Sequence, residues 1–556
     1  MRHAGLRAGS QNRDCTNGLS SARRRTRHER RQARMLSAAL LGFKRTLRVE
    51  WIVVVAIVIA SALGYVAATG RPIYVALLGG AACLLLLIVL PSWMFWVATF
   101  SSLVVAGTLK YFFPTLDRIW WLAYGVSALL YLPVALEWLS TRKHEGGIRH
   151  MGLMSCMLLL FLCNMLLGSA MALSPPEQLA VATKSLIMYG GVWAYLAHVR
   201  LEPEAIQNWL KALLGIGLIQ CVPALSQYFF VSAGQRGRGV SAADSVVGTF
   251  GGSMDSGGLS AVLAFFLVSS LVCVVAMRSE GVFSRRRFIT LACLLGLPLL
   301  FMEVKIIFFY LPLAMAVLFR HQIRKRPHVF VLWCTLGLLM LFGLLLSYQA
   351  LHWSARGGNM TRNIANSFAY SFDEHSGDQA AETGIMTRRE TLEFWAKRHD
   401  WSSMHEVLVG HGLGASRTVG MAQGEVALRY QPLFVDRTGL TQFLWDFGLI
   451  GVFATCGILL AFYRDCGRYA KASGLLPWQR AMARSLQAIA PLFFLSLLYR
   501  NDIPYAAPMM FLLMSALGLS AWLGKQVRIV ENHRSSSSRS SSNVSHKRTK
   551  VYERLT

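Results

Sequence analysis

The run FITLACLLGLPLLFMEVKIIFFYLPLAMAVLF, residues 288–319, decides the architecture. It is apolar for longer than one membrane helix requires, a span needing about 20 residues, and it is interrupted by Glu303 and Lys305. Each charge would cost about 2.5–3.5 kcal/mol at a helix centre on insertion scales. A single helix would also put the basic loops SRRR (284–287) and RHQIRKR (320–326) on opposite sides of a bilayer, against the tendency of Lys and Arg to collect in cytoplasmic loops. Two short helices turning at MEVK leave both loops cytoplasmic, so the pattern predicts a hairpin.

Outward from this hairpin, further spans are expected over 51–68, 73–90, 94–110, 119–139, 152–173, 179–198, 208–230, 258–277, 329–350, 441–462, 485–499 and 506–523. The expectation is an all-α polytopic membrane protein of about fourteen transmembrane helices with both termini cytoplasmic. The loops TRKHEGGIRH (141–150) and YRDCGRYAKASGLLPWQR (463–480) then fall on the cytoplasmic side, and SPPEQ (174–178), without a basic residue, falls outside. So does the long loop 351–440, whose arginines do not oppose this because long loops translocate largely regardless of charge.

Composition agrees. The chain has 556 residues, 54% of them hydrophobic and 15% charged, too apolar a balance for a soluble enzyme of this length. The net charge of +28 collects at the two ends and in short loops, which marks membrane topology and not a nucleic-acid partner. Nearly all of the ten cysteines fall in apolar runs, where Cys acts as a small hydrophobe, and no spacing suggests a metal site or disulfide framework. Five segments follow: a basic cytoplasmic tail (1–48), a transmembrane bundle (49–350), a large external loop of short helices (351–440), C-terminal helices (441–524) and a Ser/Arg-rich tail (525–556). The N-terminal tail lacks the apolar core of a signal peptide, and Met35 is an alternative start.

Three external segments carry unusual polar content. VSAGQRGRGVSAADSVVGTFGGSMDSGGLSA (231–261) holds Arg236 and Arg238 on the side that topology keeps poor in arginine. MEVK places Lys305 at the external interface, where its ammonium can snorkel. In TGIMTRRETLEFWAKRHDW, Thr387 and Glu390 form an S/T-x-x-E capping box, predicting a helix from Arg388 to about Arg398 with Leu392, Phe394 and Trp395 on its apolar side. Arg388 and Arg389 would occupy its first turn, where the helix dipole disfavours cations, which points to a ligand. VLVGHGLGASRTVG (408–421) follows, its glycines suited to a phosphate or a tight turn, but without the GK[ST] ending of a nucleotide loop. Asp436, Arg437 and Asp446 lie near the interface where the chain re-enters the membrane. Lys184 and Glu137 are the main charges within spans, and both fall near span ends.

The succession RRETLEFW, LVGHGLGAS and TQFLWDFGLIG, preceded by VVGTFGGSMDSGGLSAVLA, resembles the signature of the O-antigen ligase and Wzy-type polysaccharide polymerase superfamily. The resemblance covers roughly residues 150–520. It implies a GT-C-like fold and a cofactor-free, metal-independent glycosyltransferase of the bacterial inner membrane. The donor is a glycan on undecaprenyl pyrophosphate, the setting is the lipid bilayer, and the implied partners are a flippase and chain-length or export proteins. By position, Arg236 or Arg238, Lys305 and Arg388 or Arg389 would bind the pyrophosphate, arginines suiting this through their planar fork. Ligases of the superfamily usually carry a His-Asn pair about eleven residues before the re-entrant Gly of GLIG. Here VDRTG takes that place, with Arg437 nearest in register, leaving Asp436 and His411 as candidate proton acceptors. The departure favours polymerisation of an exopolysaccharide, capsule or O-antigen repeat unit over ligation to a lipid core. A flippase or other transporter is the rival reading, and an assembly partner in an envelope complex is a third.

Overall fold

The computed structural model describes residues 91–113, 119–141, 152–231, 246–252, 259–302, 306–328, 386–418 and 422–552, with a few single positions besides. From residue 91 onward these belong to one compact unit, Val89–Thr556. The spans expected at 51–68, 73–90 and 329–350, the start of the long loop, and Arg236, Arg238, Glu303 and Lys305 lie outside the described residues.

Among the described residues every regular element is helical. Five spans come first: α1 (Trp93–Phe112), α2 (Trp120–Leu139), α3 (Leu153–Met171), α4 (Pro176–His198) and α5 (Pro203–Phe230). Then follow α6 (Ser260–Ser279), α7 (Arg285–Phe301) and α8 (Ile307–Lys325). The loop contributes α9 (Arg388–Arg398), α10 (Met404–Val409) and α11 (Glu425–Arg429). The chain closes with α12 (Gly439–Tyr469), α13 (Pro477–Tyr499), the short α14 (Asp502–Tyr505) and α15, apolar over Ala507–Asn532. Nine of these helices are long and apolar enough to cross a membrane among the described residues, and each coincides with a span read from the sequence. The chain is an all-helical polytopic membrane protein.

Local chemistry sets the boundaries. Prolines open α4, α5 and α13, where the missing N–H has no helical partner to lose. Ser284 caps α7 by accepting from Arg287 N at 3.4 Å. The long apolar run divides as its charges predict: α7 ends at Phe301, Met302 is extended, and α8 begins at Ile307. Both helices pack against α6.

Helices α6, α13 and α15 are the most enclosed, and α2 and α3 leave most of their length uncovered. Lipid tails are as apolar as leucine, so close packing rather than water exclusion joins spans. Phe265 of α6 lies 4.6 Å from Phe493 of α13 and 5.7 Å from Tyr310 of α8, ring centre to ring centre. Gly107 lets the segment around Thr249 approach until an added Cβ would stand 2.2 Å from the Thr249 carbonyl oxygen. That segment, the Gly-Thr-Phe element, is held by two buried glutamines of α5. Gln227 Oε1 accepts from Val247 N (2.9 Å) and Gly248 N (2.8 Å), and Gln220 Oε1 accepts from Thr249 N at 2.9 Å.

Candidate functional site

Helix α12 does not run straight. Thr438 caps it in a box with Thr441, and Gly448 then leaves helical geometry at φ 60°, ψ −164°. A break there frees the carbonyls of the preceding turn, and each needs another donor in an apolar setting. The glycine loop supplies two: His411 N donates to the Trp445 carbonyl at 2.8 Å and Gly412 N to the Asp446 carbonyl at 3.0 Å. Asn164 Nδ2 of α3 supplies the third, to the Phe447 carbonyl at 2.8 Å.

The loop fits because it has no side chains in the way. Gly410, Gly412 and Gly414 all have positive φ, which L-residues with a Cβ rarely adopt. A Cβ on Gly410 would stand 2.5 Å from Gly448 N, and one on Gly448 would stand 2.5 Å from the Leu408 carbonyl. The loop does hold an acidic side chain, and that side chain is internal. The buried Asp446 carboxylate accepts from Gly414 N at 3.1 Å and Ser416 N at 2.8 Å. Ser169 Oγ, accepting from Leu413 N, and Gln178 Nε2, donating to the Leu413 carbonyl, secure the loop to α3 and α4.

Asp436, ten residues earlier, is in a different setting. It is 3% exposed, and among the described residues Thr418 meets its side chain in complete hydrogen bonds: the hydroxyl donates at 2.5 Å and the backbone N–H at 3.3 Å. The Tyr505 hydroxyl is close enough for each group to influence the other, without the geometry of a full hydrogen bond. Burial raises the Asp436 carboxyl above the usual carboxylate range, with Thr418 opposing it. Burial likewise lifts the Tyr505 phenol well above the ordinary tyrosine range, so it stays protonated. The Arg417 guanidinium lies 5.3 Å from the centre of the Tyr505 ring. A carboxylate with raised basicity, a hydroxyl and a cation thus meet at the head of a membrane helix.

The other predicted residues are placed as follows. Helix α9 spans the expected residues, and its capping box is complete: Glu390 N donates to Thr387 Oγ1 (3.2 Å) and Thr387 N to Glu390 Oε2 (2.7 Å). Trp395 is buried as expected and Phe394 half-buried, whereas Leu392 is exposed. Arg388 Nε donates to the Tyr499 carbonyl at 2.6 Å, and its guanidinium stands 4.1 Å over the Tyr499 ring. It therefore serves the C-terminal carbonyl end of α13, where a cation is favourable. Arg389 is exposed and bonded to Glu393 one turn on, at 2.7 Å. His411 is buried, with Nε2 3.8 Å from Glu406 and its ring against His399 and Trp445. Burial lowers its pKa, with Glu406 opposing, which keeps the imidazole neutral at pH 7. Arg437 is exposed.

Two cations have a larger part than their sequence context suggests. Lys184 lies well inside the span α4, not at its end, with Nζ 4.8 Å from the Trp121 ring centre and 5.7 Å from that of Tyr124. Tyr124 in turn donates to the Tyr505 carbonyl at 3.3 Å, so Lys184 and Arg417 approach one aromatic group. The clue to Arg417 was its position directly after the glycine run. Among the described residues no cluster of three or more His, Cys, Asp or Glu side chains is arranged to hold a metal ion. Compared with known proteins, the chain matches no family model and no curated protein.

Proposed function

We propose that this chain is a glycosyltransferase that polymerises undecaprenyl-pyrophosphate-linked oligosaccharide units on the periplasmic face of a bacterial inner membrane. The reading starts from the resemblance of its glycine-rich and GLIG elements to the O-antigen ligase and polymerase superfamily. One observation carries it further: the buried Asp436 carboxylate, raised in pKa, beside Tyr505 and Arg417 at the head of a membrane helix. The transfer needs a proton acceptor for a sugar hydroxyl and cations for a departing pyrophosphate at a lipid surface.

The attacking hydroxyl oxygen forms a bond to the donor's anomeric carbon as the bond from that carbon to the pyrophosphate oxygen breaks. The hydroxyl proton passes to Asp436, and undecaprenyl pyrophosphate leaves with the bonding electron pair. His411 is the second base candidate, its ring against His399 and Trp445 and its Nε2 3.8 Å from Glu406. A broken span also occurs in transporters, whose freed carbonyls coordinate ions. At Gly448 the three freed carbonyls already accept from protein N–H groups, which favours a joint over an ion site.

The test is deletion of the chain followed by analysis of lipid-linked intermediates. Loss of a polymerase leaves single repeat units on undecaprenyl pyrophosphate. Long polymer retained on the carrier would instead identify a ligase, and units trapped facing the cytoplasm a flippase. An Asp436→Asn chain that restores normal polymer would remove Asp436 from the mechanism.

A further inference from the structure

We infer that Trp401, Met404 and Leu408 form a membrane-contact surface, through which helix α10 of the long loop lies in the lipid interface and not in water. The inference rests on the membrane-spanning fold and is independent of the proposed enzymatic activity.

Helix α12 shows where its lipid-facing side begins. Residues 441–448 are all buried, and Leu449, directly after the break, is 40% exposed. Phe453 and Leu460 follow at 64% and 63% exposed. Steps of four and then seven residues put the three side chains on one helical face. On a span, a face of exposed large apolar side chains is the one that lipid covers. Helix α3 carries a similar face, with Leu159, Leu162, Leu166 and Leu167 exposed.

Helix α10 is packed against both of these spans at the point where those faces start. Its Leu408 carbonyl lies so close to Gly448 that an added Cβ would stand 2.5 Å away, one residue before Leu449. Its last residue, Val409, meets Gly168 of α3, where an added Cβ would stand 3.0 Å from the Val409 carbonyl oxygen. Leu166 and Leu167 immediately precede that contact. Met404 and Leu408, four residues apart on one edge of α10, are both exposed. Their edge therefore continues the lipid-facing surface of the two spans.

Trp401 extends the surface outward. Its ring is 5.9 Å from that of His399, which in turn lies 5.7 Å from the ring of Trp445, one helical turn before the break. Its Nε1 donates to the Ala396 carbonyl at 2.9 Å, so the polar atom is satisfied within the protein while the ring is 55% exposed. Tryptophan in that state suits the boundary between headgroups and acyl chains, where its ring is apolar enough to enter and its N–H need not be stripped of a partner. The polar residues of α10 turn elsewhere: Glu406 approaches the buried His411 ring, and His405 Nδ1 pairs with Ser403 Oγ at 3.0 Å. A short helix with one apolar edge in register with neighbouring lipid-facing helices is an interfacial helix. Seated there, it holds the glycine loop and the Gly448 joint at the bilayer surface.

The test replaces Trp401, Met404 and Leu408 singly by the photoreactive residue p-benzoylphenylalanine in the full-length chain, illuminated in its native membrane. Phe453 is the lipid-facing reference, and the exposed, charged Lys397 of α9 is the water-facing one. Mass spectrometry of the peptides then identifies what each position touched. Phospholipid adducts are expected at the three loop positions, as at 453, and none at 397. Cross-links to a second copy of the chain, to another of its segments or to another protein in place of lipid would overturn the assignment. So would the absence of adducts at all three positions in a chain that gives them at 453. All three side chains point out of the fold, so each variant should keep the wild-type Tm, and a variant that loses it leaves two others to decide.

Discussion

Asp436 and Asp446 are ten residues apart on the entry to one membrane helix, both buried, and the donors that meet them differ. Asp446 is enclosed by backbone N–H groups of the glycine loop. Asp436 has one threonine and a tyrosine that does not complete a bond, and an arginine stands over that tyrosine's ring. A carboxylate whose lone pairs are taken by fixed backbone donors is a fastener. One that is buried with fewer fixed donors is open to a further partner. Burial alone therefore does not describe a buried acid; the donors that meet it do.

The largest effect should come from the joint that Asp446 fastens. Gly448→Ala places a Cβ 2.5 Å from the Leu408 carbonyl at a φ of +60°, and should cost more than about 3 kcal/mol, read as lost folded protein in detergent. Gly125→Ala, with open space around the added carbon, should leave the yield unchanged. Next comes Asp446→Ala, which strands two buried N–H donors; a fall in stability of about 2–5 kcal/mol is expected by thermal unfolding. A stable Asp446→Ala protein would end the contrast between the two acids.

Asp436→Asn should do the reverse, lowering turnover by about 100-fold or more while leaving Tm nearly unchanged. Its pH profile supplies a sharper reading. Because burial raises the Asp436 pKa, the carboxylate form is lost as pH falls through that raised value. Wild-type activity should therefore decline at a higher pH than an ordinary carboxylate would give, and the variant should lack that limb. The same shift means that folding binds the Asp436 proton more tightly. Its contribution to stability is therefore present at low pH and is lost as pH rises through the raised pKa.

Smaller effects belong to the loop arginines. Arg388→Ala should cost about 1 kcal/mol by removing a cation from a helix C-terminus and from the Tyr499 ring. Arg389→Ala, at an exposed pair with Glu393, should leave Tm within error. A larger loss of activity than of stability in Arg388→Ala would return that residue to the ligand.

The nine described spans were legible because their length and apolarity are local properties, and the division of the 288–319 run followed from two charges within it. The capping box at Thr387 and Glu390 was legible for the same reason, its partners lying three residues apart. The glycine loop was visible as a loop that suits an acidic group, but that group was not, because Asp446 is brought to it by tertiary packing. Arg388 was read as a ligand contact on the strength of its place in the first turn; the carbonyl that it meets belongs to a helix end 111 residues away. Lys184 was noticed as a charge in a span, but its aromatic neighbours come from another helix.

The broken span has a further consequence during synthesis. Asn164, Ser169 and Gln178 find their partners in residues 413–447, between 235 and 283 positions later in the chain. At about 5–20 residues per second, the ribosome needs on the order of 10–60 s to deliver those partners. Throughout that interval these early polar side chains reside in or beside the membrane without their final bonds. The late helix therefore completes the early ones, and a chain stalled before Gly448 would present the insertion and quality-control machinery with an unfinished seam.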